Sequence, residues 1–262
     1  MEYNFGTIPQ ISALLTQLAH EQGATHGPSS PPAPQPLIDT AVYATLLWEA
    51  SSNQAKSALT HLNNAFVDFN DIRVAPVSQI VAALGERAPL ATERALRLKA
   101  WLNDLFSREQ RMDIEPLRNI KHEQAQQYLL GLDGAPPFVA LHTLHAGLGA
   151  HTVAVDERLL TLLTSRGAVA ADLTPLAASE VLAGALPAES LTMAVRVLRW
   201  WSDHQGHTPK RESDAFKPQP IAPLELNNEN APRRATRLRP REVEEKPRRN
   251  QASRSSKDEP TP

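Results

Sequence analysis

Residues 129–163 read LLGLDGAPPFVALHTLHAGLGAHTVAVDERLLTLL. A leucine-rich helical end runs into Gly131, and the cluster Asp133-Gly134-Ala135-Pro136-Pro137 carries the turn chemistry that stops it. An apolar helix restarts at Phe138, Gly147 and Gly149 break it, and Val153-Ala154-Val155 leads to Asp156 at the head of a further apolar run. A carboxylate at a helix start caps the helix by accepting main-chain N–H groups. The same place, beside a turn able to hold a phosphate, also suits a catalytic acid or base. At this point both readings of Asp156 stand.

Outward from that stretch the periodicity stays helical. Apolar positions at helical spacing predict helices over 8–22, 38–49, 53–66, 77–84, 91–106, 122–131, 138–146, 156–165, 176–183 and 188–204. The longest, 91–106, carries Ala95, Leu98, Trp101, Leu102 and Leu105 on one wide apolar stripe. Short connections join these elements, as in a compact all-α domain. Three segments follow: residues 1–36, a short helix and a Pro-rich linker (GATHGPSSPPAPQP); residues 37–206, the helical domain; and residues 207–262, a tail with nine prolines and little apolar periodicity. The linker and the tail have the composition of disordered chain.

Composition narrows the chemistry. The 262 residues contain no Cys, which excludes disulfides, Cys-ligated zinc and an iron–sulfur cluster. The N-terminus lacks the charged and apolar regions of a signal peptide, and no apolar run approaches the roughly 20 residues that span a bilayer, so an intracellular, cytoplasmic location is expected. Residues 1–206 hold 14 Lys/Arg and 20 Asp/Glu, a net of −6; residues 207–262 hold 13 and 9, a net of +4. An acidic body thus carries a basic tail.

The order and spacing of elements over roughly residues 37–205 resemble the helix–hairpin–helix DNA glycosylases of the endonuclease III type. Leu132-Asp133-Gly134-Ala135-Pro136-Pro137-Phe138-Val139-Ala140 falls on the family's hairpin pattern Leu-Pro-Gly-Val-Gly-x-Lys-Thr-Ala. Val155-Asp156-Glu157-Arg158-Leu159 falls on its aspartate pattern, and Leu46-Leu47-Trp48-Glu49-Ala50 on its Leu-Leu-Ser-x-Gln segment. The resemblance implies a two-lobed all-α fold and a role in base-excision repair on double-stranded DNA; many members hold an iron–sulfur cluster on cysteines, and without Cys no cofactor is expected here. Asp156 is then the carboxylate that stabilises positive charge developing on the sugar or activates a nucleophile, after the damaged nucleotide is flipped from the duplex. Gly134 and Ala135 would offer hairpin N–H groups to a DNA phosphate.

The departures from the pattern are chemical. Phe138 stands where lyase-competent members carry a nucleophilic lysine, so only a single-function glycosylase is expected. Pro136 takes a glycine position and Pro137 follows it, which removes two N–H donors. A non-catalytic DNA- or protein-binding derivative of the scaffold is the alternative. The tail arginines Arg233, Arg234, Arg237, Arg239 and Arg241 (with Arg248 and Arg249) suit phosphate contacts through counterion release. His142, His145 and His151 lack a convincing further ligand, so no metal is expected. Trp200-Trp201 read as a core anchor and a surface residue.

Overall fold

The computed structural model describes residues 8–22, 35–85 and 88–207. Among them lie eleven α-helices, one 3₁₀ turn and no strand: α1 (Pro9–Glu21), α2 (Leu37–Leu47), α3 (Ser52–Ala65), α4 (Phe69–Val74), α5 (Val77–Leu84), α6 (Ala91–Glu109), the 3₁₀ turn Glu115–Asn119, α7 (His122–Leu130), α8 (Pro137–Leu148), α9 (Glu157–Ser165), α10 (Pro175–Ala185) and α11 (Ala188–Gln205). The expected linker falls largely on residues 23–34, and the expected tail on residues 208–262; both lie outside the described residues.

Two hydrophobic cores divide these helices into two lobes. The first gathers α2 to α8 around Leu46, Leu62, Ile80, Leu98, Trp101 and Leu105. The second gathers α1, α9, α10 and α11 around Leu15, Leu18, Leu163, Leu182, Val197 and Trp201. The chain therefore starts in the second lobe, builds the whole of the first, and returns. Residues 151–155, outside any helix and partly buried, carry it back.

The first helix belongs to this body, which extends the globular part beyond its expected start near Leu37. Ile11, Leu14, Leu15 and Leu18 recur at the spacing of one helical face, and all are buried. That face packs against α11. Pro9 opens the helix at a position whose N–H has no intrahelical partner, so proline costs nothing there.

Local chemistry sets the other boundaries. Ser51 and Gln54 form a reciprocal capping box at α3: the Gln54 N–H donates to Ser51 Oγ at 3.3 Å, and the Ser51 N–H to Gln54 Oε1 at 2.8 Å. Glu115 Oε1 accepts the Leu37 N–H at 2.6 Å and so caps α2 from 78 residues away. α8 crosses α2 so closely that a Cβ on Gly147 would sit 2.4 Å from Leu37 Cδ2. A larger residue there would push the buried Leu37 side chain aside; the constraint is proximity, not backbone angle. Two short elements, α4 and the 3₁₀ turn, stand where no helix is expected from periodicity.

Candidate functional site between the lobes

The two lobes meet at a pair of acids. Asp156 is the N-cap of α9; its Oδ1 accepts the Leu159 N–H at 2.9 Å. Its Oδ2 crosses to the first lobe and accepts the Glu49 N–H at 3.1 Å. Glu49 answers in kind: its Oε1 accepts the Glu157 N–H at 3.0 Å. Each acid thus holds a main-chain amide of the other lobe. Asp156 is 2% exposed and Glu49 is fully buried. Glu49 also has φ 54, a left-handed conformation that non-glycine residues seldom adopt. Its N–H and side chain reach α9 from that bend.

Three arginines surround the pair and tie chain ends together. Arg94, 1% exposed, donates to the carbonyls of Thr45 at 3.2 Å, Pro89 at 2.6 Å and Trp48 at 2.5 Å, so it caps the C-terminus of α2. Burial pushes its guanidinium down to about 10, against the charges of Glu49 and Glu93, which favour the cation. Arg158 is buried on α9, and its Nη2 donates to Ser202 O at 2.8 Å. Burial lowers it too, opposed by the nearby Asp156 carboxylate. Arg199 on α11 bonds Ala50 O at 2.6 Å and Asp203 Oδ1 at 2.5 Å, a second link between the lobes. Asp203 Oδ1 in turn accepts the Ser52 N–H at 2.9 Å at the start of α3. Burial pushes Asp203 up, but the bonds from Ser52 and Arg199 outweigh it and hold the carboxyl below its usual range.

Next to Arg199 stands an aromatic wall. The His142 ring stacks on Phe138 with centroids 5.7 Å apart, and meets Tyr43 at 6.3 Å. Burial, then the charges of Arg199 and His145, push His142 down to about 4, so the imidazole is neutral at ordinary pH. Burial also raises Tyr43, against Arg199. Phe138 and His142 are nearly parallel while Tyr43 is tilted by 54° to the imidazole, and Arg199 and Asp203 lie near enough to act on Tyr43 by charge.

The hairpin between α7 and α8 is closed on itself. Gly134 has φ 79, the left-handed turn that its sequence context demands. The Ala135 N–H donates to Leu132 O at 3.2 Å, so that amide is spent inside the turn. Pro136 and Pro137 add no donor. From α6, Arg97 Nη1 donates to Gly134 O at 3.2 Å, and Asp104 Oδ2 accepts the Asp133 N–H at 2.8 Å. Arg108, paired with Asp104, donates to Gly131 O.

The residues singled out by sequence therefore divide. Asp156 lies at the lobe junction, at a helix start as expected, but with both oxygens engaged by main chain. Gly134 and Ala135 lie in the hairpin, away from that acid in sequence and held from α6. Phe138 is buried in the aromatic wall. Arg233, Arg234, Arg237, Arg239 and Arg241 lie outside the described residues. His145 and His151 bond the carbonyls of Ala150 and Ala183, and no group of three His, Asp or Glu among the described residues is placed to hold a metal ion. Among the described residues no helix is long and apolar enough to cross a membrane. Trp201 is the core anchor and Trp200 the more exposed partner, 4.8 Å from the His204 ring. Glu49 falls on the Leu-Leu-Ser-x-Gln segment in sequence, at the Gln position if the register shifts by one, but nothing there points to Asp156 as its partner; Arg94 and Arg199 were not singled out, since each reads in sequence as an ordinary charge on a helix.

No protein-family model matches this chain, and no curated protein does. Solved structures do. An endonuclease III–DNA covalent intermediate superposes with a TM-score of 0.56 at 14% identity, over 74% of this chain and 85% of that one. A thermostable thymine-DNA glycosylase superposes with a TM-score of 0.52 at 14% identity, over 74% and 86%. The H. pylori 3-methyladenine DNA glycosylase bound to 1,N6-ethenoadenine gives 0.50 at 14% identity, over 74% and 94%. The two-lobed helical architecture is the helix–hairpin–helix glycosylase fold.

Proposed function

We propose that this chain uses the glycosylase fold to bind duplex DNA without excising a base. One observation carries the reading: Asp156 is 2% exposed, and its two oxygens hold the N–H groups of Leu159 and Glu49. A carboxylate that stabilises a developing sugar cation needs an oxygen facing the substrate. Here Oδ1 caps α9, Oδ2 holds the Glu49 amide across the junction, and the carboxylate is buried with no oxygen turned to solvent. Phe138 at the lysine position supplies no nucleophile for a lyase step. DNA as the ligand is supported by the likeness to an endonuclease III–DNA complex and by the basic segment that contains Arg233, Arg234, Arg237, Arg239 and Arg241. On this reading those arginines make up for the two donors that Pro136 and Pro137 remove from the hairpin.

Fluorescence anisotropy with an unmodified duplex tests the binding. The full chain is expected to bind with a steep loss of affinity between about 50 and 200 mM salt. A chain ending at His207 should bind more weakly and with a shallower salt slope. Identical affinity and slope for the two chains would remove the tail from the account.

A second reading has its own observation. Asp156 sits at the N-terminus of α9 and at the lobe boundary, the place the resemblance gives the family's carboxylate. If the junction opens on DNA, Asp156 would serve a single-function glycosylase in base-excision repair. Base excision that Asp156→Asn abolishes would favour this reading.

A further inference from the structure

We propose that Arg97 couples the hairpin turn to the Glu49–Asp156 junction, so that a DNA phosphate held at the turn tightens the contact between the lobes. The proposal rests on the DNA-binding reading above. Arg97 touches both places. Its Nη1 donates to Gly134 O at 3.2 Å, and its guanidinium lies 5.0 Å from the centre of the Trp48 ring. Trp48 immediately precedes Glu49, and its carbonyl is held by Arg94, one helical turn before Arg97 on α6. Glu93, 1% exposed, fixes Arg97 from the other side, with Nε and Nη2 on the same carboxylate oxygen at 2.9 and 2.8 Å.

The turn has a specific reason to move when it is occupied. The Ala135 N–H is the donor that sequence assigns to a phosphate, and in this structure it points at Leu132 O. Presenting it to an anion requires that bond to lengthen. The Gly134–Ala135 peptide must then rotate about a glycine already in the left-handed region. That peptide carries the carbonyl that Arg97 holds. A guanidinium is planar and rigid, and a shift at one edge is transmitted to the ring stacked on its face. The ring belongs to the residue before the strained Glu49, whose N–H and carboxylate form the junction. Arg97 is a positioning residue here; it touches no reacting atom.

The test is hydrogen exchange on the full chain, free and saturated with a plain duplex, read on peptides covering residues 46–52 and 155–161. The variant is Arg97→Lys, which keeps a cation beside the buried Glu93 but loses the planar stack and the fixed reach to Gly134. A second variant, Arg97→Met with Glu93→Gln, removes the whole device without leaving a buried carboxylate uncompensated. In the unaltered protein, DNA is expected to slow exchange in both peptides by about fivefold or more. In either variant the duplex still binds, and the slowing at the junction is lost while slowing at residues 131–136 remains. Slowing of the junction in both variants equal to that of the unaltered protein would overturn the proposal, as would DNA binding that leaves the junction unchanged in the unaltered protein. Failure of the unaltered protein to bind duplex at all overturns the DNA-binding reading itself, and the proposal with it.

Discussion

Asp156 and Glu49, separated by 107 residues, each accept a main-chain N–H from the other's neighbourhood: Glu49 N–H to Asp156 Oδ2 at 3.1 Å, and Glu157 N–H to Glu49 Oε1 at 3.0 Å. Two buried carboxylates side by side would repel. Four features offset this: the amides they hold, the N-terminal end of α9, and the guanidinium groups of Arg94 and Arg158. The pair closes the two lobes on each other.

Asp156→Asn should therefore act on stability. An amide keeps one acceptor oxygen but turns an NH₂ toward a main-chain donor, leaving one buried N–H unmet. The expected loss is about 2 kcal/mol, or roughly 4–8 °C in melting temperature for a body of this size. Thermal or urea unfolding measures it. A change below about 0.5 kcal/mol would mean that Asp156 is not holding the junction.

Glu49 separates backbone strain from side-chain bonding. Glu49→Ala and Glu49→Gly both lose the bond to the Glu157 N–H, but only glycine tolerates φ 54 without steric cost. Glycine normally destabilises relative to alanine; at this position it should be the more stable of the two by about 0.5–1 kcal/mol. Equal unfolding midpoints would contradict the left-handed bend.

His142 should make stability fall on mild acidification. Its folded pKa, about 4, lies below the ordinary value of 6.5. As pH falls through 6.5 the unfolded chain takes up a proton that the folded chain refuses until about 4, so the unfolded state gains across that window. The contribution is intact above pH 6.5 and its loss amounts to up to about 3 kcal/mol once pH 4 is passed. Burial lowers His145 as well, and it works in the same direction. His142→Phe, which keeps a ring against Phe138 and Tyr43, should flatten the profile between pH 7 and 4.5 in urea titrations. A profile as steep as that of the unaltered protein would assign the acid sensitivity to other groups.

The first helix should behave as part of the body. Leu18 is fully buried against the second lobe. Leu18→Ala should cost about 3 kcal/mol, read as a lower urea midpoint with an unchanged slope. A negligible effect would detach α1 from the fold.

Much of the fold was legible because helices announce themselves at a 3.6-residue period. Residues 77–84 match α5 end to end, and the expectation over 156–165 put Asp156 at the start of α9, where it caps. α4 has only six residues, too few for a periodic signal, and the Glu115–Asn119 turn has five. The membership of α1 was hidden by the Pro-rich stretch that follows it, since an amphipathic pattern says that a face is buried but not against what. The site was legible only on one side. Asp156 stands out beside its turn, but its partner is a glutamate bent into a conformation that sequence assigns to glycine or asparagine. Arg94 lies on the longest helix among Glu93, Arg97 and Lys99, where a charge reads as solvated. Only the packing of α6 against α2 turns it inward to cap three carbonyls.

The central claim, that Asp156 is spent on structure and the chain binds DNA without excising a base, is tested most directly by single-turnover incubation of the full chain, in excess, with duplex oligonucleotides carrying a broad panel of damaged and mismatched bases. Abasic sites are read by alkaline strand scission, with Asp156→Asn alongside. The expected result is a bound duplex with scission no higher than in the protein-free control for every lesion, and the same for the variant. Abasic-site formation by the unaltered protein on any lesion, lost in a still-folded Asp156→Asn, would contradict the account and make Asp156 a catalytic residue.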